Sequence, residues 1–283
     1  MVATWRPSGS DPWGTSPREL GRALEAVVKE NPEAWTDDPV AVVGTLREPV
    51  YVVHYFRAIA ASATRVAERA PALMQAIELV SRERWEPVVI GRDDFEFEPD
   101  WSGVDTVAVE LVDALADADA DLGSVLLFCW TLASGMARAL PDDPGTIDQY
   151  HEASDFSDPL NRAINSRYGK GLQAVLALGG WEHRQLGAAS QRLNRLLTDV
   201  LAVDGAVGLE LRSVIAASRP FVEAIAANWL TQHHDVLFGD KLGPPTFDQT
   251  LKYSRPTEIF WARSLDRLLA AGRREADMPL HGY

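Results

Sequence analysis

Prolines placed at the first turn of predicted helices constrain the fold of this chain more than any other sequence feature. Ser16-Pro17, Asp38-Pro39 and Asp158-Pro159 each join a capping side chain to a proline. The serine or aspartate oxygen can accept hydrogen bonds from free backbone amides, and proline suits the first helical position because it has no amide hydrogen to satisfy. Glu19 follows Ser16 by three residues and completes a capping box. These signals predict helices that begin at Pro17, Pro39 and Pro159.

Apolar residues recur at helical spacing after these starts and define the remaining helices. In the first half, helices are predicted at 17–30, 104–116 and 122–140, and three more start at 39, 49 and 71. In the second half, they are predicted from 158 to about 178, from 181 to about 201, and at 207–218, 220–237 and 256–271. A second capping box at Thr246 and Gln249 predicts one further helix start. Residues 51–56 and 87–90 have β-like composition but no partner strand with hairpin turn chemistry, so helix is predicted there too. Segment 122–140 is apolar on most sides and is predicted to be buried.

About a dozen helices joined by short proline-bearing turns predict an all-α fold of antiparallel helix pairs. Stacked pairs form an α-solenoid, and the lack of a sharp fixed-period repeat favours degenerate HEAT- or armadillo-like repeats. A compact helical bundle is the alternative. The predicted parts are an N-terminal lead at 1–15, an acidic helical half at 16–140, an acidic linker at 141–157, a second helical half at 158–272 and a C-terminal tail at 273–283.

Charge is distributed unevenly, and its distribution argues against nucleic-acid binding. The 283 residues carry a net charge of −14. Residues 1–140 hold 23 acidic and 12 basic side chains, and the stretch from Asp93 to Asp121 holds 11 acidic residues and no lysine or arginine. A nucleic-acid interface needs a basic stripe that displaces counterions from phosphates. The first half would repel a phosphate backbone, whereas the second half is close to neutral.

The number of cysteines and the length of the apolar runs indicate in which cellular compartment the chain is expected. Cys129 is the single cysteine, so the chain forms no internal disulfide and no cysteine-based zinc site. No apolar run reaches transmembrane length and no signal-peptide stretch opens the chain, so a reducing cytoplasm is expected. Most of the nine tryptophans, Trp229 and Trp261 among them, fall at apolar helical positions and are predicted to lie in the core.

Motif tests give no catalytic, cofactor-binding or metal-ligating residues. Segment 239–244 does not match a phosphate-binding loop. A calcium loop that starts at Asp117 would need Gly and Glu where the chain has Leu122 and Phe128. A solvated acidic turn is therefore the preferred interpretation of that run. The adjacent His233 and His234 point in different directions on a helix, so we interpret them as a satisfied pair at a helix end.

Arg47 and His54 are the one pair that suggests catalysis. Their six-residue separation superficially resembles the Arg…His motif of HEPN ribonucleases, in which both residues act on RNA at a dimer interface. A histidine would move a proton and an arginine would stabilise phosphate charge. Pro49 lies between the two residues, and the acidic surroundings would repel RNA, so coincidence is the preferred interpretation.

Residues 158–175, DPLNRAINSRYGKGLQAV, carry the most distinctive pattern in the chain. They resemble a helix in the C-terminal helical-repeat regions of large bacterial NTP-binding and Sir2-type proteins associated with antiphage defence. Further similarity extends over roughly residues 18–270. Within this segment, Gly169 and Gly171 would allow close helix crossing, and Asn165 and Ser166 could bond backbone groups of a neighbouring turn. Tyr168 stands where the family more often has arginine, which puts a shared polar network in doubt.

The resemblance implies a recognition or assembly role, because in such proteins the chemistry resides in an effector or NTPase elsewhere. We therefore expect a non-enzymatic helical-repeat module, a sensor or scaffold, that binds a protein partner in a bacterial defence or signalling assembly. The resemblance transfers no catalytic residue, and we expect no cofactor. A HEPN-like helical ribonuclease and a purely structural spacer are the alternatives.

Overall fold

The computed structural model describes residues 16–83, 100–147, 158–188, 190–255 and 257–277. These residues form fifteen α-helices and contain no β-strand, which confirms the predicted all-α class. The helices are α1 (Pro17–Glu30), α2 (Pro32–Trp35), α3 (Pro39–Thr45), α4 (Pro49–Ala60), α5 (Ala63–Val66), α6 (Ala70–Arg82), α7 (Trp101–Asp117), α8 (Leu126–Ala137), α9 (Pro159–Asn165), α10 (Arg167–Leu186), α11 (Gln191–Leu201), α12 (Gly205–Ala217), α13 (Arg219–Gly239), α14 (Gly243–Tyr253) and α15 (Glu258–Asp277). No helix among the described residues is both long and apolar enough to span a membrane.

The proline-based helix starts form as predicted. The Ser16 hydroxyl accepts from the Glu19 amide at 3.2 Å, and the Glu19 carboxylate accepts from the Ser16 amide at 2.9 Å. Asp38 accepts from the Ala41 amide at 2.9 Å. Asp158 accepts from the Leu160 amide at 2.9 Å. Residues 51–56 are helical within α4, whereas residues 87–90 lie outside the described residues.

The helix predicted from 158 to about 178 is in fact two helices with a break at Ser166. Ser166 ends α9 by donating to the Ala163 carbonyl at 2.7 Å and caps α10 by accepting from the Gly169 amide at 3.0 Å. A Cβ on Gly169 would overlap the Ala163 carbonyl, so this glycine serves the turn between α9 and α10. The predicted backbone bond of Asn165 is confirmed, since its amide donates to the Asn161 carbonyl at 2.7 Å.

Two other predicted starts are wrong. Trp181 lies inside α10, which continues to Leu186 and ends at Gly187, a residue in the left-handed conformation (φ 66°). Thr246 does not cap a helix: α14 begins at Gly243, and the buried Thr246 hydroxyl donates to the Leu242 carbonyl at 2.7 Å. Segment 122–140 is also less buried than predicted, because Leu127 on α8 is 68% exposed while Cys129 lies fully inside.

The chain divides into two compact units, Met1–Met136 and Ala137–Tyr283. In unit 1, α4 packs against α1, α5 and α7, and α3 packs against α6. Every residue of α4 from Pro49 to Ile59 is buried except Arg57. Because α4 is apolar on almost all sides, it can only be stable as the central helix of this unit.

Unit 2 is also built around one enclosed helix. Helix α12 packs against α9, α10, α11, α13 and α14, and all its residues from Ala206 to Ala216 are buried. Nearest-neighbour stacking of helix pairs does not require such a centre. Each unit thus has one helix that its neighbours enclose.

The predicted acidic linker lies partly outside the described residues. Residues 148–157 are not described, and neither are the lead at 1–15 and residues 278–283. The described part of the linker belongs to unit 2, where the carbonyls of Pro144 and Gly145 accept from the amides of Val207 and Ala206 at 3.1 and 3.3 Å. The division into helical halves at 16–140 and 158–272 stays a prediction. Helix α15 continues to Asp277, past its predicted end at Ala271.

Candidate binding groove

Arg47 and His54, the residues of the HEPN-like hypothesis, occupy different environments in unit 1. Arg47 is exposed and precedes the first residue of α4. His54 is 4% exposed, and its Nδ1 hydrogen bonds with Glu25 Oε2 of α1 at 2.6 Å. Since a carboxylate only accepts, the imidazole donates through Nδ1. The His54 ring also lies against Gly21, where a Cβ would overlap it. His54 is thus bonded inside the α1–α4 interface.

The Glu25–His54 pair has a defined protonation at neutral pH. Burial lowers the pKa of His54, and this effect outweighs the opposite influence of the Glu25 carboxylate. Burial raises the pKa of Glu25, but hydrogen bonds from Lys29 and His54 outweigh it and bring the pKa below its usual value. A neutral imidazole therefore donates to an ionised carboxylate.

Ser264, His234 and Asp235 form an arrangement that resembles a catalytic triad. His234 Nε2 is 3.5 Å from Ser264 Oγ, and His234 Nδ1 is 3.5 Å from Asp235 Oδ1. Ser264 is fully buried, so its hydroxyl cannot reach a substrate in this conformation. Burial also lowers the pKa of His234. His233 and His234 lie in the last third of α13, which ends at Gly239.

Segments that suggested ligand loops make structural contacts instead. In segment 239–244, the Asp240 carboxylate bonds the buried Arg212 of α12. Asp117 is the last residue of α7, and Asp119 and Asp121 follow in the turn before α8. All three are exposed, in agreement with a solvated acidic turn. Across the described ranges, no group of three or more His, Cys, Asp or Glu side chains is placed to hold a metal ion.

A groove of about 410 Å³ that is open to solvent lies between α11 and α13 of unit 2. Helix α11 contributes four lining residues and α13 contributes four more, each set at the spacing i, i+1, i+4, i+5, so that two successive turns of each helix face the groove. The lining residues are Asn194, Arg195, Thr198, Asp199, Asn228, Trp229, Gln232 and His233.

Trp229 fixes the two walls of the groove. Its indole Nε1 donates to Thr198 Oγ1 of α11 at 2.9 Å, and the hydroxyl in turn donates to the Asn194 carbonyl at 2.8 Å. His233 stacks on the indole with ring centroids 4.9 Å apart and donates from Nδ1 to the Trp229 carbonyl at 2.9 Å. Trp229 is 3% exposed, so the predicted core position is confirmed for this tryptophan.

The charges in the groove are not balanced. Asp199 is paired with Arg138, with an Nη2 to Oδ2 distance of 2.9 Å. Arg195 is exposed and, among the residues that the structure describes, has no ion-pair partner. The groove thus presents one unpaired guanidinium beside the side-chain amides of Asn228 and Gln232, both of which are exposed.

Two irregular features adjoin the groove. The Asn194 Oδ1 atom is buried and has no hydrogen-bond partner among the residues that the structure describes, a condition that costs about 1–3 kcal/mol per group. Helix α13 is kinked at Ala226, where φ is −145° and ψ is 41°, two residues before Asn228. Most kinks of this kind coincide with proline or glycine, but neither residue occupies this position. Both features have a cost in stability, and both lie where α11 and α13 form the groove walls.

An exposed apolar stripe on α15 is the other prominent surface of unit 2. Trp261, Leu265 and Leu269 are 46%, 61% and 54% exposed and lie at i, i+4 and i+8 on one face. The predicted core position is therefore wrong for Trp261. An apolar stripe has no directional groups, whereas the groove holds donors, acceptors and a charge in fixed positions. The groove is for this reason the better candidate for a specific site.

No family model, no curated protein and no solved structure matches this chain. The groove has to be interpreted from its own chemistry. Its amides and guanidinium can bind a ligand by hydrogen bonds. Sequence reasoning identified the apolar face of α11 but missed its polar face. The signal was present as polar residues at i, i+4 spacing, Asn194 and Thr198 on α11 and Asn228 and Gln232 on α13.

Proposed function

We propose that this chain is a non-enzymatic helical module that binds a protein partner through the α11–α13 groove. The observation that carries the proposal is the lining itself, in which exposed amides and an unpaired Arg195 are held on two helices fixed by the Trp229–Thr198 bond. Such side chains bind polar ligands by hydrogen bonds and charge. Rigid helices supply the precision that a specific site needs.

The proposed setting is a bacterial defence or signalling assembly in the cytoplasm, where the chain acts as a sensor or scaffold. The resemblance of residues 158–175 to the helical-repeat regions of antiphage-defence proteins supports this part of the proposal. In structural terms, the segment holds α12 in place: the Tyr168 hydroxyl donates to the buried Glu210 carboxylate, and Arg162 lies 3.5 Å from the same group. The position where the family more often has arginine thus holds, in this chain, a tyrosine that bonds Glu210.

A solenoid of HEAT or armadillo type remains a hypothesis about architecture. Contacts between consecutive helices, α9 with α10 and α13 with α14, support it. The enclosed helix α12 favours a bundle within unit 2. The binding proposal depends on neither arrangement, because the groove needs only α11 and α13.

Selection of peptides on the full chain tests the proposal. A phage-displayed library of random twelve-residue peptides is selected on immobilised protein. Enriched peptides are then measured against the triple variant R195A/N228A/Q232A. These three side chains are exposed and make no described contact that holds the fold. We expect enrichment on the wild-type chain and at least tenfold weaker binding to the triple variant.

The matched control removes the same functional groups, one guanidinium and two carboxamides, elsewhere on unit 2. Arg263 on α15, Gln185 on α10 and Gln191 at the start of α11 are exposed and lie outside the groove. R263A/Q185A/Q191A should bind the selected peptides as the wild type does. Equal binding by both triple variants would refute the groove. No enrichment at all would contradict the proposal and favour the structural spacer.

A further inference from the structure

We infer that the groove takes an extended peptide segment that carries an aspartate or glutamate opposite Arg195. This inference rests on the proposed function and names the class of ligand at the same site. It follows from the spacing of the amides, from the local charge and from the fixed aromatic wall.

The spacing of the two amides on α13 matches an extended backbone. Asn228 and Gln232 lie one helical turn apart, at i and i+4, so their side chains project about 6 Å from each other. An extended chain repeats its outward-facing peptide groups every two residues, a distance of about 6.6 Å. Each carboxamide carries both a donor and an acceptor. The two residues can therefore bond successive peptide groups along one edge of the segment.

The unpaired charge of Arg195 determines which side chain the groove prefers in its ligand. Since Asp199 is bonded to Arg138, the guanidinium of Arg195 is left to pair with the ligand. A carboxylate can accept two parallel hydrogen bonds from it. The net charge of −14 opposes acidic ligands at long range, but at physiological ionic strength this repulsion is screened over about 8 Å.

Peptide fits the groove better than nucleic acid does. A nucleic-acid strand needs several cations along its path, whereas the groove lining contains one arginine, Arg195, and no lysine. The wall between the helices is also closed by the Trp229 indole, whose Nε1 is already bonded to Thr198 and whose face is covered by His233. Stacking of bases on this indole would require His233 to move.

Charge reversal at Arg195 tests the inference. Library peptides selected on the wild-type chain are sequenced, and binding is measured by fluorescence anisotropy for each enriched peptide and for versions with its acidic residue changed to Gln or Lys. We expect an acidic residue at one dominant position and about tenfold weaker binding of the Gln version. R195E should bind the Lys version better than the acidic one. R263E, which reverses an exposed charge on α15, should retain the wild-type preference.

The outcomes separate this inference from the proposed function. The acidic-ligand inference is wrong if enriched peptides lack an acidic preference, or if R195E binds them as the wild type does. In either case, loss of binding by R195A/N228A/Q232A would still support a protein-binding groove. Fluorescein-labelled U12 RNA is the second probe. Binding of this oligonucleotide that R195E abolishes would overturn a peptide ligand in favour of nucleic acid.

Discussion

Arg212 and Asp240 form a two-point ion pair, with both Nη1–Oδ1 and Nη2–Oδ2 distances at 2.8 Å. Arg212 belongs to the enclosed helix α12 and is 2% exposed, whereas the Asp240 side chain is 40% exposed. Arg212 also donates to the Leu201 carbonyl at 2.8 Å. The pair therefore fastens the end of α13 to the central helix of unit 2.

Replacement of Asp240 by alanine should destabilise unit 2, because it leaves a buried guanidinium without its counter-charge. Loss of one partner of a buried pair costs about 3–5 kcal/mol. Because Asp240 is partly exposed, we expect a loss of about 3 kcal/mol. Urea denaturation followed by circular dichroism measures it. The control is K241A, which removes the neighbouring, exposed pair with Asp204 and should leave the midpoint close to wild type. Equal midpoints for both variants would show that the Arg212 pair is not structural.

Replacement of Gly21 and of Gly44 by alanine should change the stability of the protein in opposite directions. A Cβ on Gly21 would overlap the His54 ring, which Glu25 holds in place, whereas a Cβ on Gly44 of α3 meets nothing within 4 Å. Because the added methyl group overpacks this contact, G21A should lower the free energy of unfolding by about 2 kcal/mol. G44A should raise the free energy of unfolding by about 0.5 kcal/mol, because alanine has the higher helix propensity. Thermal unfolding of both variants measures the difference, and a stabilised G21A would contradict the described α1–α4 contact.

The contribution of neutral His54 to stability should be lost as the pH drops from about 7.5 to about 5.5. Asp113 acts in the opposite direction in this window, because burial raises its pKa to about 7 and the folded state takes up that proton first. Burial lowers the pKa of His54 in the folded state, while in the unfolded chain it titrates near 6.5. The unfolded state thus binds the proton first, and stability is lost below about pH 6.5. Glu25 does not contribute in this window, because its own pKa is lowered and its contribution is lost only at more acidic pH. As the pH drops from about 7.5 to about 5.5, the denaturation midpoint of H54Q should therefore fall less, or rise more, than that of the wild type. The remaining slope comes partly from His234, whose pKa burial lowers as well. An unchanged slope in H54Q would show that His54 is not buried as a neutral group.

Cys129 should be inert in the native protein. It is fully buried in α8, and burial raises the pKa of its thiol to about 12. Because the thiolate is the reactive form, reaction with a disulfide reagent at pH 8 should be at least about a hundredfold slower than in denaturant. Since this is the single cysteine, the absorbance of the released thiolate reports on it alone. Equal rates in the two conditions would contradict the packing of α8.

Sequence predicted those parts of the fold that depend on a few neighbouring residues. The caps at Ser16, Asp38 and Asp158 formed because side chain and amide lie within three residues of each other. The break at Ser166 was missed, since it depends on the contact of Gly169 with the Ala163 carbonyl. The start predicted at Trp181 failed for a related reason. Gly179 and Gly180 look like helix breakers, yet they stay helical because Leu193 and Phe221 pack closely against them.

The candidate groove could not be predicted because it depends on the pairing of α11 with α13. Arg195 and Asn228 are far apart in the chain, and only packing brings them to the same groove. The role of Asp199 likewise depends on Arg138, which neutralises it from a distant position. A single sequence records the polar face of each helix but not which faces meet.

The most direct test of a protein-binding groove is a nuclear magnetic resonance titration of the ¹⁵N-labelled chain with the most enriched library peptide. Trp229 lies in the groove and Trp261 on the apolar stripe of α15, and their indole N–H signals are identified by the W229F and W261F variants. The account predicts that the Trp229 signal shifts with peptide concentration while the Trp261 signal stays in place. A shift confined to Trp261 would contradict the groove as the binding site, and so would a titration in which neither signal moves.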